Sequence, residues 1–151
     1  MDDRITSEGF RAVADLAGLS SGFEALFRAA PSPFLVLTSP DYTIIAVNDE
    51  YLRATMTERA AILGRRVFDV FPENPNSPSA AGPRELRASL QRVIGERRTD
   101  DMPTVRYDIR RPATLGGGFE ERWWSLCYTP AERPSRSAVT TSSLETGSGG
   151  R

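Results

Sequence analysis

The stretch from Phe34 to Met56, FLVLTSPDYTIIAVNDEYLRATM, constrains the fold of this chain more than any other segment. It contains two short apolar runs, Phe34–Thr38 and Thr43–Val47, and the residues between them include a proline that can preset a turn and an aspartate that can bond its own backbone. Asn48 follows directly, and an asparagine at this position can accept hydrogen bonds from the first free amides of a helix. The stretch therefore predicts a β-hairpin followed at once by an asparagine-capped helix.

Two short helices are predicted ahead of this hairpin. Phe10–Leu19 has a narrow apolar stripe at helical spacing, too thin for a core element. We therefore expect residues 1–22 to form an N-terminal helical extension that either packs on a second copy of the chain or frays. The S-x-x-E spacing that starts at Ser21 is that of a capping box, and it predicts a helix from about Gly22 to Ala29.

After the capped helix, the sequence predicts more helices and then a pair of strands. Thr57–Gly64 is expected to be a short helix, and the apolar face of Arg84–Arg98 predicts a longer one after a proline-rich loop. Pro103–Arg110 and Phe119–Tyr128 alternate as half-buried antiparallel strands do, with Gly116–Gly118 as the return between them. We place the following side chains on the inner face: Val105, Tyr107, Ile109, Trp124, Leu126 and Tyr128.

This order of elements is an α+β pattern in which helices lie on one face of an antiparallel sheet. Over about Phe23 to Pro130 the chain resembles a PAS domain, a sensory and interaction module of bacterial signalling proteins. It is similar to a subgroup found beside histidine kinase and phosphatase modules, through four blocks of sequence: Pro72–Asn76, Leu86–Leu90, Tyr107–Ile109 and Phe119–Ser125. The resemblance implies a five-stranded sheet and a hydrophobic pocket between sheet and helices, used for small ligands, cofactors or dimerisation.

The C-terminal segment departs from that family pattern. In PAS domains the last strand lies in the middle of the sheet, whereas Ala131–Arg151 is polar and rich in serine and threonine. Without a central strand, two neighbours would keep unpaired backbone groups. We therefore predict a weak fifth strand at Ser137–Leu144, a PAS-like domain over residues 23–144 and a disordered tail over 145–151. The alternative is an altered or truncated terminus whose gap another chain fills.

Several functional classes are disfavoured by composition. The chain has no histidine, which removes the usual haem ligand of the family and the commonest general base and metal ligand. Flavin photoreceptors of the family place a reactive cysteine just after the helix-starting asparagine, where this chain has Asn48-Asp49-Glu50-Tyr51, and its single cysteine, Cys127, lies on a late strand. We therefore expect no cofactor, no metal and no enzymatic activity.

Three functions compete at this point. We favour a sensory domain of a bacterial signalling protein, in which a small apolar or aromatic ligand bound between sheet and helices biases an attached output kinase or phosphatase module. The second is a homodimerisation or protein-interaction module with a self-filled core. The third, a hydrolase or transferase, has no base, metal set or nucleophile to support it. The pocket candidates are Val36, Asn48, Leu52, Phe68, Tyr107, Trp124 and Tyr128.

Partners and location follow from charge and hydropathy. The formal net charge is −1, so neither nucleic acid nor an anionic membrane is favoured as a partner. No apolar run approaches the length of a membrane span, and the N-terminus lacks the features of a signal peptide. We expect a cytoplasmic homodimer.

Overall fold

The computed structural model describes residues 21–78, 80–131 and 138–143. The expected helix at Phe10–Leu19, most of the extension assigned to residues 1–22 and the tail assigned to residues 145–151 lie outside the described residues. The helices are α1 (Ser21–Ala29), α2 (Asp49–Thr55), α3 (Arg59–Ile62), α4 (Val67–Val70) and α5 (Gly82–Glu96). The strands are β1 (Leu35–Thr38), β2 (Thr43–Val47), β3 (Asp100–Asp101), β4 (Val105–Arg106), β5 (Ile109–Arg110), β6 (Phe119–Glu120), β7 (Trp123–Ala131) and β8 (Ala138–Ser143).

These strands form one main antiparallel sheet in the order β2-β1-β8-β7-β3. Strands β3 and β4 both pair with β7, at Cys127–Tyr128 and at Trp123–Trp124, so together they occupy the fifth position of the sheet. The β5–β6 pair is a separate two-stranded ribbon. The expected α+β fold, with an antiparallel sheet and helices packed on it, is confirmed.

The polar C-terminal strand lies where it was predicted. β8 pairs with β1, with Leu37 opposite Val139, and with β7, with Thr129 opposite Thr140. It thereby supplies hydrogen-bond partners to two strands that would otherwise keep open edges inside the sheet. This need for backbone pairing explains why so polar a segment takes a central position.

The hairpin β1–β2 is buried on both of its faces. Leu35, Leu37 and Ile44 belong to the main core between the sheet and the helices. Val36 lies on the other face with Ile45 and Ala46, and Phe27 of helix α1 packs against them. Val36 lies opposite Ala46 and Leu37 lies opposite Ile44, so Ile45 has no partner on β1 and forms a β-bulge. Because of this bulge, the adjacent residues Ile45 and Ala46 both join the cluster around Val36.

The two predicted late strands are each interrupted. Tyr107-Asp108 separates β4 from β5, and Glu121-Arg122 separates β6 from β7. Alternation along the strand predicts that Asp108 faces outward, but the residue is buried. Asn74, from the proline-rich loop, donates to its carboxylate at 2.8 Å, and Arg106 forms a two-point ion pair with it, so the buried charge is satisfied. Within the part of the chain that the structure describes, no helix is long and apolar enough to cross a bilayer.

Candidate functional site

A small cavity lies between the inner face of the sheet and helices α2, α4 and α5. Its volume is about 30 Å³, which is room for about two water molecules. The lining is aromatic and aliphatic except for one threonine and three tyrosine hydroxyls: Tyr51, Thr55, Val67, Phe71, Leu86, Tyr107, Ile109, Trp124, Leu126 and Tyr128. It contains no charged side chain.

The spacing of side chains along the surrounding strand and helix explains which residues line the cavity. On β7 every second side chain faces inward, which brings Trp124, Leu126 and Tyr128 to one wall. On helix α2, Tyr51 and Thr55 are four residues apart and so share one face, which supplies the opposite wall. The cavity is thus built from regular elements rather than from loops.

Most polar groups of the lining are paired within the protein. The indole N–H of Trp124 donates to the carbonyl of Tyr107 at 2.9 Å, and the hydroxyl of Tyr107 donates to the carbonyl of Phe71 at 2.6 Å. The hydroxyl of Thr55 donates to the carbonyl of Tyr51 at 2.8 Å. These bonds hold the wall of the cavity in one arrangement.

The tyrosines of the cavity are neutral at ordinary pH. Burial raises the pKa of Tyr51, Tyr107 and Tyr128 well above that of a free tyrosine, and the mutual repulsion of their ionised forms adds to the effect on Tyr51. A protonated phenol donates a hydrogen bond but is a poor nucleophile and a poor base. The site is therefore suited to binding a molecule through neutral hydrogen bonds.

The structure brings some of the predicted pocket residues together and separates others. Tyr107, Trp124 and Tyr128 line the cavity. Leu52 and Phe68 are partly buried and pack against the main core, outside the lining. Val36 lies on the opposite face of the sheet, against Phe27.

Asn48, the remaining candidate, is fully buried at the start of helix α2. Its Oδ1 atom accepts from the N–H of Tyr51 at 3.0 Å and from the N–H of Phe34 at 2.8 Å. Its Nδ2 group donates to the carbonyls of Ser32 at 2.7 Å and Ala30 at 3.4 Å. Asn48 thus joins the helix that carries Tyr51 to the segment that leads out of α1.

The pocket candidates named from the sequence did not include seven other lining residues: Tyr51, Thr55, Val67, Phe71, Leu86, Ile109 and Leu126. Of these, Ile109 and Leu126 were predicted to face inward, and Leu86 belongs to the helix whose apolar face was predicted. For Tyr51 and Thr55 the available signal was their i, i+4 spacing on the helix that Asn48 caps. That spacing fixes their common face once the cap is known.

The only cysteine of the chain faces away from the cavity. Cys127 lies between Leu126 and Tyr128 on β7, so its side chain points to the other face of the sheet. Burial raises the pKa of its thiol to about 11, with a further contribution from the neighbouring carboxylate of Asp101. Formation of a covalent bond between Cys127 and a molecule in the cavity does not fit this geometry.

An antiparallel sheet with short helices packed on it and a small apolar cavity between them defines a class of ligand-sensing and interaction domains. The chain belongs to the PAS fold family, whose model matches residues 27–144. No match is found among curated protein sequences.

Solved structures with the same fold include a LOV protein, a kinase sensor domain and a blue-light photoreceptor. A LOV protein from Rhodobacter sphaeroides is 20% identical, with a TM-score of 0.61 over 86% of this chain and 69% of that one. A PAS domain from a two-component sensor histidine kinase is 16% identical, with a TM-score of 0.54 over 82% and 96% of the two chains. The photo-excited blue-light photoreceptor Vivid is 12% identical, with a TM-score of 0.56 over 82% and 90%.

These likenesses correct one expectation from the sequence. We expected no cofactor, because a histidine ligand for haem and a cysteine beside Asn48 for a flavin adduct are both missing. Blue light is not absorbed by natural side chains, so a blue-light photoreceptor depends on a bound chromophore, and this fold is found in such a receptor. The expectation of no cofactor is therefore contradicted, although the missing residues still disfavour the two modes of attachment considered.

Proposed function

We propose that residues 23–144 form a non-catalytic sensory domain of a bacterial signal-transduction protein. A small apolar or aromatic molecule binds between sheet and helices, and its presence is relayed to an output kinase or phosphatase module in the cytoplasm. The observation that carries the proposal is the cavity itself, which is formed by regular elements and lined by aromatic side chains with hydrogen-bonding hydroxyls. Of the residues first predicted for the pocket, we retain Tyr107, Trp124 and Tyr128 as ligand contacts.

The relay runs through helix α2. Tyr51 borders the cavity with its side chain, and its backbone N–H is bonded to Asn48, which also holds residues 30–34. Helix α1, which ends at Ala29, contacts α2 as well. A ligand that displaces Tyr51 therefore strains the contacts that position α1, and an equilibrium between two positions of α1 is biased by occupancy.

Hydrogen exchange combined with native mass spectrometry tests this function. Freshly purified full chain is expected to retain non-protein mass or to gain it from a library of small aromatic compounds, with a rise in melting temperature. Backbone amides around Phe34 are expected to change their exchange rate on binding, because the Asn48 contacts change with them. A protein that never gains mass, never shifts its melting temperature and shows unchanged exchange at Phe34 would exclude ligand sensing.

The small volume of the cavity favours a second function. With room for about two waters, the core is close to filled by its own side chains, as expected of a homodimerisation module. Size-exclusion chromatography with light scattering separates the two functions when it is combined with the ligand screen. A stable dimer without any ligand response supports this alternative, and deletion of residues 1–19 tests whether the N-terminal extension forms the dimer contact.

Likeness to light receptors motivates one further check. The absorbance spectrum of the purified chain between about 350 and 500 nm reports a retained chromophore directly. A band in that range would identify the sensed signal as light or redox state and would make the bound molecule a cofactor. A flat spectrum that persists after incubation with flavin mononucleotide would direct the search to colourless ligands.

A further inference from the structure

Two tyrosine hydroxyls border the cavity without a partner in the protein. Tyr51 and Tyr128 are 6% and 2% exposed, and neither hydroxyl makes a hydrogen bond among the residues that the structure describes. By contrast, the hydroxyl of Tyr107 donates to Phe71. Neither hydroxyl is sealed from a water-sized probe, so each is free to bond a molecule that enters from outside the chain.

The two hydroxyls open onto the cavity rather than into packed apolar atoms. Within the described ranges, the only fully sealed side-chain nitrogen or oxygen without a partner is Nε of Arg122, which does not line the cavity. Both tyrosines line it, and two groups that open onto a space of only about 30 Å³ lie near one another. The free donors therefore converge on one space.

The remaining polar groups of the lining are already engaged. Trp124 donates to the carbonyl of Tyr107, and Thr55 donates to the carbonyl of Tyr51. Because the pKa values of Tyr51 and Tyr128 are raised, both keep their protons at neutral pH and act as donors. The polar part of a bound molecule must therefore accept hydrogen bonds.

The charge of the bound molecule is constrained as well. The lining has no arginine, aspartate or glutamate, so an ionic ligand would lose its hydration without gaining a counter-charge. A carbonyl oxygen has two lone pairs and can accept from two hydroxyls at once. We infer that the cavity takes a neutral, mainly apolar molecule with a single carbonyl oxygen, which accepts hydrogen bonds from both Tyr51 and Tyr128. This inference rests on the proposed sensory function.

A ring-sized ligand needs more space than the cavity has in this structure. About 30 Å³ is well below the roughly 150 Å³ of an engineered cavity that holds benzene. On the helical side, Leu52, Met56 and Phe68 pack against the core and are only partly buried. Binding therefore displaces these side chains while the wall formed by β7 stays in place.

The test compares two probes of similar shape on the full chain. Acetophenone has the carbonyl and ethylbenzene lacks it, and binding of each is followed by amide chemical shifts in NMR titrations. Wild-type protein is expected to bind acetophenone about tenfold more tightly than ethylbenzene, since one or two additional hydrogen bonds contribute on the order of 1.4 kcal/mol. The carbonyl stretch of bound acetophenone is expected at lower frequency than in a hydrocarbon solvent.

Three variants locate the effect. Tyr51→Phe and Tyr128→Phe each weaken acetophenone binding about three- to tenfold and leave ethylbenzene binding unchanged. In the double variant the two probes bind equally, and the carbonyl stretch returns toward its hydrocarbon value. Tyr42→Phe is the matched control, because Tyr42 is buried but does not line the cavity, and it leaves both affinities unchanged.

The possible outcomes separate this inference from the function on which it rests. Equal affinities of wild-type protein for the two probes, with shifts at cavity residues, would overturn the carbonyl site and leave ligand sensing standing. Acetophenone binding that neither Tyr51→Phe nor Tyr128→Phe weakens would also overturn the carbonyl site and leave ligand sensing standing. Failure of both probes to bind would overturn the carbonyl site, while retained non-protein mass in native mass spectrometry would still support the sensory function.

Discussion

The Oδ1 atom of Asn48 accepts a hydrogen bond from the backbone N–H of Phe34 at 2.8 Å, across fourteen residues of chain. The same atom caps helix α2 through Tyr51, and the amide group on the other side holds two carbonyls of the segment before β1. An N-cap residue usually satisfies only the end of its own helix. Asn48 therefore joins the start of α2 to the segment that connects α1 with β1.

Replacement of Asn48 by alanine is expected to cost more than the loss of a helix cap. The cap contributes about 1 kcal/mol, and the partly buried backbone groups left without partners at Phe34 and Ser32 add about 1–3 kcal/mol in total. We expect Asn48→Ala to lower the free energy of unfolding by about 2–4 kcal/mol in urea denaturation. Asn48→Ser, which keeps the cap but cannot span to residues 30–34, should recover only about 1 kcal/mol. Equal stabilities of the serine variant and the wild type would contradict the role of Asn48 as a connector.

Gly82 marks a close approach between helix α5 and the strand region. A Cβ atom at this position would lie 2.8 Å from Cβ of Tyr107 and in contact with the backbone carbonyl of Arg106. We expect Gly82→Ala to lower the free energy of unfolding by about 1–3 kcal/mol, because the backbone must move to relieve the overlap.

A second glycine of the same helix provides the control. A Cβ atom at Gly95 meets nothing within 4 Å. Gly95→Ala should therefore leave stability unchanged or raise it by up to about 1 kcal/mol, through lower conformational entropy of the unfolded chain. Thermal unfolding of the two variants measures both changes in stability. A Gly82→Ala variant as stable as the wild type would show that the helix is not tightly packed on Tyr107.

The predictable parts of the fold are those determined by the alternation of side chains along a strand and by the need of backbone groups for hydrogen-bond partners. Alternation identified Trp124, Leu126 and Tyr128 as inward-facing, and all three line the cavity. The central place of β8 followed from the need to pair β1, even though its residues are polar. In both cases a local pattern and a global requirement led to the same structure.

The parts that were not predictable depend on contacts between distant segments. Leu35, Val36 and Leu37 form an unbroken apolar run, so the sequence did not show which side chains face the main core. Leu35 and Leu37 do, whereas Val36 is covered by Phe27 on the other face of the sheet. Asp108 is polar in an alternating strand, and only the contact with Asn74 explains its burial. The capping role of Asn48 was visible from the sequence, but its bonds to residues 30–34 were not.

The Asp108 network makes stability depend on acid pH. Burial alone would raise the pKa of Asp108, but hydrogen bonds from Arg106 and Asn74 outweigh it, and the pKa is lowered. A carboxylate with a lowered pKa in the folded state contributes stability above its unfolded pKa of about 4, and that contribution is lost as the pH falls through the folded value. We expect Asp108→Asn to be less stable than the wild type by about 1–3 kcal/mol at pH 7, and the difference to shrink below pH 4.

An exposed aspartate gives the comparison for this variant. Asp69 lies on α4 and is exposed, so Asp69→Asn should change stability by less than about 0.5 kcal/mol. Urea denaturation at several pH values between 3 and 7 measures both variants against the wild type. A constant difference between Asp108→Asn and the wild type across that range would show that the carboxylate of Asp108 does not stabilise the fold through its charge.

The tyrosines predict the opposite dependence at alkaline pH. The pKa of each of the four tyrosines is raised, with burial as the largest cause: Tyr42, Tyr51, Tyr107 and Tyr128. An acid whose pKa is higher in the folded state contributes stability that is complete below the unfolded pKa of about 10 and is lost as the pH rises above it. We therefore expect the urea concentration at the unfolding midpoint to fall as the pH is raised from 9 to 11. We also expect tyrosinate, followed by absorbance at 295 nm, to form only when far-ultraviolet circular dichroism shows that the chain unfolds. Protein unfolded in urea is the control, and its tyrosines should titrate near pH 10. Tyrosinate formation near pH 10 in a chain that keeps its circular dichroism would mean that these hydroxyls are open to solvent in the folded protein.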